Sequence, residues 1–315
     1  MKPLFAVYVI LFCHVLSCSK DTAKAKPLHN KKVLVLGNSI TQNGTYVDFL
    51  EYALRKRFTK DRLDIVSIGL SGETASGDSE KDHAFPRPYI HNRLQSALNL
   101  VKPDLVLASY GMNDGIYSNF SAIRFDNYKK GILRLKETVE ATGSEIIFLS
   151  PTPFDASSKT TYNGLEHYSY KRPYVNYNEV LKAYTAWLKT IEHVKVIDLN
   201  TYLNEKLITL KSKFKDSTFI PDGVHPNTIG HYYMTEKILN DLYPGTTLGN
   251  TIEDIEKFER DSLFKATRKR RKIRSKGWLA YVGYVSKDTV KSNTITPTIE
   301  QVRQLDLVIS SLLQK

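Results

Sequence analysis

Short, nearly continuous apolar runs closed by glycine or proline alternate along this chain with longer stretches whose apolar residues recur at helical spacing. The first run, Lys31-Lys32-Val33-Leu34-Val35-Leu36-Gly37, leaves no alternating polar face for water, so it predicts a strand buried on both sides. From Tyr46 to Phe58, Val47, Leu50, Ala53, Leu54 and Phe58 return every three or four residues and predict a helix. Leu63 to Ile68 is a second strand, His91 to Leu100 a helix that Pro103 ends, and Asp104 to Ser109 a third strand. Phe125 to Ala141 follows as a helix with Gly143 just past its end, the usual place for a helix-stopping glycine. Glu145 to Leu149 is a fourth strand, stopped by Pro151 and Pro153. A polar loop from Phe154 to Pro173 leads into a helix from Tyr174 to Glu192, a fifth strand from Val194 to Asp198 and a helix from Asn227 to Leu242.

This alternation predicts an α/β fold: a five-stranded parallel sheet with helices on both faces, joined by right-handed crossovers. Such sheets place their ligand sites beyond the C-terminal strand ends. After Pro244-Gly245 the alternation stops, so residues 244–315 form a mainly helical extension. Thr251 to Ser275 reads as a charged amphipathic helix and Thr298 to Leu313 as another, and the aromatic stretch Trp278 to Val285 between them admits an extended conformation.

Four short segments fall at the ends of strands or just beyond them. Gly37-Asn38-Ser39-Ile40-Thr41 follows the first strand, where a serine either caps the next helix or presents its hydroxyl to a cleft. Gly69-Leu70-Ser71-Gly72-Glu73-Thr74 follows the second, with glycines that let a backbone N–H approach a ligand or simply turn the chain. Gly111-Met112-Asn113-Asp114 follows the third, where Asn113 can donate into a cleft and Asn-Asp can equally build a turn. Pro221-Asp222-Gly223-Val224-His225-Pro226 lies before the last helix of the alternating region. Its Asp and His, three residues apart, can hydrogen-bond, and Pro226 keeps His225 off a helix.

In order and in strand context these segments resemble the conserved blocks of the SGNH (GDSL-like) hydrolase superfamily, over roughly Lys32 to Leu242. The resemblance implies a flavodoxin-like three-layer α/β/α hydrolase domain at residues 31–243. It implies Ser39 as nucleophile, Asp222 and His225 as its triad partners, and an oxyanion hole built from Ser39 N–H, Gly72 N–H and the Asn113 amide. Asn38 departs from the Asp more common in the first block. The expected reaction is ester hydrolysis through an acyl-enzyme, without metal or other cofactor.

The N-terminal segment adds a location. Lys2 precedes an apolar run from Leu4 to Phe12 that is short for a bilayer span and has the shape of a signal-peptide core. Val15-Leu16-Ser17-Cys18 resembles a bacterial lipobox. That resemblance implies a signal peptide at residues 1–18, a lipid on Cys18, a tether at 19–30 and a membrane-anchored enzyme on the periplasmic or surface side of the cell envelope. Leu16 is larger than the residue usual there, so simple cleavage and secretion is the alternative. Cys13 and Cys18 are the only cysteines, which excludes a disulfide framework and a cysteine metal site.

Composition narrows the partners. The net charge of +12 invites nucleic acid. Eight of the twelve residues from Lys265 to Lys276 are basic, so the excess is local and reads as a solvated helix face, with anionic lipid or acidic glycan as the other reading. No zinc-finger spacing or aromatic RNA-binding signature accompanies it, so no nucleic-acid partner is expected. His83, His91 and His167 show no metal-ligand spacing and read as surface or loop residues. No Gly-x-Ser-x-Gly elbow surrounds Ser39 or Ser71, which argues against an α/β-hydrolase. Envelope location and the lack of a long apolar lid favour removal of short acyl groups, acetyl above all, from carbohydrate. Tyr162, Tyr168, Tyr170 and Tyr174 would stack on sugar rings or pack the long loop over the core. A lipase or thioesterase of the same family is the alternative, as is a non-catalytic glycan-binding protein that keeps the fold.

Overall fold

Residues 26–164, 167–249 and 254–314 are described by the computed structural model. The five apolar runs form one parallel sheet: β1 (Lys32–Gly37), β2 (Asp64–Ser67), β3 (Leu105–Ser109), β4 (Glu145–Leu149) and β5 (Lys195–Ile197), in the order β2-β1-β3-β4-β5. Val33 lies opposite both Ile65 and Leu105, and Leu36 opposite Ala108. Strand alternation sends Val33, Val35, Leu105 and Leu107 to one face and Leu34, Leu36, Val106 and Ala108 to the other, and both sets are fully buried. The first face is covered by α2 (Thr45–Arg57), α6 (Leu199–Lys213) and α7 (Thr228–Leu242). The second is covered by α3 (Leu94–Val101), α4 (Ala122–Glu140) and α5 (Tyr177–Leu188). Two covered faces explain why the strand sequences carry so little polar alternation.

Observed elements follow the predicted ones to within a few residues at their ends, and several differences have physical causes. A five-residue helix, α1 (Ser39–Asn43), starts directly after β1, with the Asn38 side chain accepting from Ile40 N–H at 3.0 Å. Helix α6 was not expected, although Leu199, Leu203, Leu207 and Leu210 keep helical spacing and Asp198 caps it. The single long helix expected from Thr251 is two helices. Asp261 caps α9 (Ser262–Val282), which separates it from α8 (Asp254–Arg260). Trp278 to Val282 is the last turn and a half of α9 rather than extended chain. Only β6 (Tyr284–Val285) and β7 (Thr289–Val290) pair, as a small antiparallel hairpin before α10 (Thr296–Leu313). The signal segment with Cys13 and Cys18, and most of the expected tether, lie outside the described residues. Leu28 and His29 are already buried, and Leu28 N–H bonds the Tyr243 hydroxyl at 2.8 Å, so packed chain begins ahead of residue 31.

The basic run corrects an expectation. Its exposed face is only part of it, because Arg270, Arg271 and Arg274 point inward from α9 and are buried. Arg271 forks onto the fully buried Asp48 of α2 at 2.7 and 2.8 Å. Arg270 reaches Glu51 of α2 and Asp306 of α10, and Arg274 reaches Asp64 at the start of β2. Helix α9 therefore lies along α2 and beside β2, an outer strand of the sheet whose unpaired edge would otherwise invite association. Its ends join the two core layers separately, Leu263 and Phe264 on the first face and Leu279 and Val282 on the second. Among the described residues of the extension, α8, α9 and α10 thus pack against the sheet domain.

Removing one partner of a buried pair strands the other charge. We expect Arg271→Met to cost about 3–5 kcal/mol in chemical denaturation, well above the cost of an exposed basic residue such as Lys272→Met. A loss below about 1 kcal/mol would mean that the α9–α2 pairs do not hold the extension in place.

Candidate active site

The strand order reverses direction between β1 and β3, which opens a crevice beyond their C-terminal ends. Ser39 leaves β1 into that crevice and Asn113 follows β3. The turn between them needs close approach. A side chain at Gly37 would meet Thr41 Oγ1 at 2.4 Å and the Ser109 carbonyl of β3 at 2.9 Å. The loop after β2 is drawn in by Leu70 N–H bonding Gly37 O at 2.8 Å. Gly72 in that loop has φ +77°, a left-handed conformation that favours glycine.

The loop before α7 delivers the remaining partners. His225 Nε2 lies 2.8 Å from Ser39 Oγ, and His225 Nδ1 lies 2.7 Å from Asp222 Oδ2. Asp222 Oδ1 accepts the Val224 and His225 backbone N–H groups at 3.0 and 2.7 Å, which fixes the loop around the carboxylate. The Tyr170 hydroxyl donates to Oδ2 at 3.3 Å. Burial opposes ionisation of Asp222, but the His225 ring and these backbone donors outweigh it and hold the carboxyl well below its usual range. The carboxylate is therefore an acceptor only, so His225 Nδ1 carries the hydrogen and Nε2 is left to accept from Ser39. The Asp222 and His225 side chains keep 41% and 38% of their surface exposed, so the site opens to solvent rather than lying under a cover.

Three donors remain near this series. Ser39 N–H at the start of α1 and Gly72 N–H have no acceptor among the described residues. Asn113 is buried, and its Oδ1 accepts the Tyr117 hydroxyl at 2.8 Å, which sets the orientation of the amide. One Nδ2 hydrogen goes to Glu73 O at 3.1 Å, leaving the second for a ligand. Asp114 is fully buried and accepts Ala75, Ser76 and Gly111 N–H at 2.7, 2.8 and 2.8 Å, so it ties the loops after β2 and β3 together.

The structure brings Ser39, Asp222 and His225 into one hydrogen-bonded series and places Gly72 and Asn113 on the adjoining loops. It also adds residues that the sequence did not single out. Glu73 takes a fork from buried Arg93 at 2.6 and 2.7 Å and a hydrogen bond from Tyr110 at 2.7 Å, which anchors the loop carrying Gly72. Glu80 takes a second buried fork from Arg87, both bonds at 2.5 Å. Arg87 in turn reaches Gly72 O at 3.4 Å and lies over the Tyr117 ring, and Glu80 accepts Tyr170 N–H at 3.3 Å. This ion pair joins the loop of the expected oxyanion donors to the tyrosine on the acid. Glu and Arg scattered through irregular loops carry no periodic signal, so pattern reading had nothing to find. Of the four loop tyrosines, Tyr170 faces the site, with Lys159 Nζ 3.8 Å over its ring. Tyr168 packs on Tyr174, and Tyr162 is covered by Arg172.

A serine hydroxyl, an imidazole and a carboxylate in series beyond the strand ends of a flavodoxin-like sheet is the arrangement of a serine-type hydrolase. The chain belongs to the GDSL-like lipase/acylhydrolase family, whose profile matches residues 35–233. It is accordingly a carboxylic ester hydrolase of SGNH type. Among solved structures it is similar to a catalytic mutant of an acetylxylan esterase from Geobacillus stearothermophilus, with a TM-score of 0.53 at 19% identity. That match covers 72% of this chain and 100% of the other. It is also similar to a gut microbial diltiazem-metabolizing enzyme, with a TM-score of 0.52 at 20% identity over 70% of this chain. The chain spans only 48%, about half, of that structure's length. No curated protein sequence matches the chain. At these identities the structural likeness speaks for the fold.

The geometry separates a structural contact from an essential one. Tyr170→Phe removes one long hydrogen bond and should lower kcat/KM by about 2- to 10-fold. Asp222→Asn, which disturbs the tautomer of His225, should cost about 10⁴-fold. Equal losses in steady-state ester hydrolysis would show that Tyr170 does more than support the acid. Because the Asp222 pKa is depressed, its stabilising contribution is present above its ordinary value of 3.8 and fades as pH falls below it. Asp222→Asn should therefore narrow the gap between the protein's stability at pH 7 and at pH 3.

Proposed function

We propose that this protein removes acetyl or similarly short acyl groups from carbohydrate esters through an acyl-enzyme on Ser39. The observation that carries the reading is the series Ser39 Oγ–His225 Nε2 and His225 Nδ1–Asp222 at 2.8 and 2.7 Å. Ser39 Oγ attacks the ester carbonyl carbon while His225 Nε2 takes its proton, and Asp222 stabilises the imidazolium. Negative charge on the carbonyl oxygen is received by Ser39 N–H, Gly72 N–H and the second Nδ2 hydrogen of Asn113. Donors already fixed in place need no reorganisation as the charge develops. His225 protonates the departing alcohol. Water then repeats the sequence on the acyl-serine and releases the acid.

The short acyl group and the sugar are supported by the openness of the site and by its rim. Asp222 and His225 are more than a third exposed, and Tyr170 with Lys159 offers an amphipathic wall beside them. The acetylxylan esterase with a similar fold hydrolyses esters of this kind by its name, which agrees with the reading. A lipid on Cys18 would hold the enzyme at the cell envelope, where glycan esters are encountered, and this location belongs to the proposal. No helix among the described residues is long and apolar enough to cross a membrane.

The test is hydrolysis of chromogenic acetate and decanoate esters and of acetylated xylo-oligosaccharides, by the protein and by Ser39→Ala. We expect acetate to be preferred over decanoate and acetate to be released from the oligosaccharides. Ser39→Ala should lose about 10⁴-fold or more with an unchanged melting temperature. Turnover retained in Ser39→Ala removes the mechanism, and hydrolysis of decanoate alone removes the short-acyl assignment.

A further inference from the structure

A cavity lies at the other end of the sheet from Ser39. It measures about 600 Å³ and opens between the N-terminal ends of β1 and β2, the end of α2, and the facing sides of α9 and α10. Lys32 and Asp64, the first residues of their strands, line it, whereas Ser39 and Gly72 follow the opposite ends of the same strands. The esterase reading makes no use of this cavity.

Its lining combines two chemistries. Six basic side chains face three acidic ones, and several of the basic groups are incompletely answered. Arg274 is buried and pairs with Asp64 through Nη2, while its Nη1 is buried with no hydrogen-bond partner. Burial and the neighbouring Arg270 guanidinium push its pKa down despite Asp64, the mark of a cation short of negative charge. Neither Lys32 Nζ nor the exposed Arg62 guanidinium donates a hydrogen bond to any described residue. The other half is apolar, with Phe58, Trp278, Val302, Ile309 and Leu313 along the wall. A buried guanidinium N–H left unbonded costs free energy, and an oxyanion would both accept from it and neutralise the excess charge.

We infer that this cavity is a second ligand site, built for an amphiphilic oxyanion: a phosphate or carboxylate head on Arg274, Lys32 and Arg62, carrying a short apolar chain against Trp278 and Phe58. The head can belong to a free molecule or to a lipid. Lys26, the first described residue, stands at this rim, where it pairs with Asp61 of the cavity lining at 2.6 Å and lies over Phe58. An N-terminal anchor would therefore turn the cavity, and not the catalytic mouth, toward a membrane.

Calorimetric titration of the protein with octyl phosphate and with inorganic phosphate tests the site. We expect saturable binding of octyl phosphate and weaker binding of inorganic phosphate. Arg274→Lys keeps a cation opposite Asp64 but removes the planar guanidinium with its unbonded Nη1, and should weaken octyl phosphate binding about ten-fold or more. Arg62→Gln, an exposed change that leaves the fold intact, should weaken it several-fold with acetate-ester turnover unchanged. Absence of saturable binding at millimolar ligand, or equal affinity in all three proteins, overturns the proposal. Equal affinity for inorganic and octyl phosphate overturns its apolar half. Co-sedimentation with phosphatidylglycerol vesicles but not phosphatidylcholine vesicles, lost in both variants, identifies a lipid as the source. Octyl phosphate binding without co-sedimentation identifies a free anion.

Discussion

A single buried carboxylate holds the catalytic edge together. Asp114 has no exposed surface and no cation bonded to it, and its oxygens are satisfied by three backbone N–H groups from two different loops. Burial raises its pKa, and those N–H donors work in the opposite direction. Unfilled donors and acceptors are costly at this depth, so the loops after β2 and β3 have little freedom to part. The residue before it, Asn113, inherits that rigidity. The Glu73–Arg93 fork then fixes the same loop at the residue directly after Gly72.

The rest of the site follows from the parallel sheet. Only strands that run the same way deliver their following loops to one edge, and the reversal between β1 and β3 leaves room there for a ligand. Ser39 therefore meets His225 across 186 positions of sequence. The Glu80–Arg87 pair connects the loop of the donors to Tyr170 and so to Asp222. Polar connections of this kind hold orientation where apolar packing alone would leave rotamers free. The site is thus stiff in its charged groups and open at its mouth, which suits a reaction that needs fixed dipoles and ready access to solvent.

Charge is also used structurally on the far side. Three arginines of a run that looks solvated are turned into the protein, where Asp48, Glu51, Asp64 and Asp306 receive them. Burying such pairs offers little net stability over apolar residues, yet it fixes which helix face meets which. Here it sets α9 against α2 and beside the outer strand β2. The pairing is incomplete at Arg274, and that surplus lies beside an apolar cavity.

The sequence alone determined the five-stranded sheet and most of the helices that cover it. Strand runs without polar alternation are possible only when both faces are covered, and glycine, proline and the Asp-x-x-His turn mark where the chain leaves each strand. Those signals are local, and together with the family resemblance they pointed to Ser39, Gly72, Asn113, Asp222 and His225 as the expected site. The tertiary structure decided what depends on partners distant in sequence. Nothing near Arg271 announces Asp48, and nothing near Glu80 announces that its carboxylate will join Gly72 to Tyr170. Whether a charged residue faces water or a buried counter-charge is set by what the fold places opposite it. For the same reason a basic helix face and a buried ionic seam are written in the same letters.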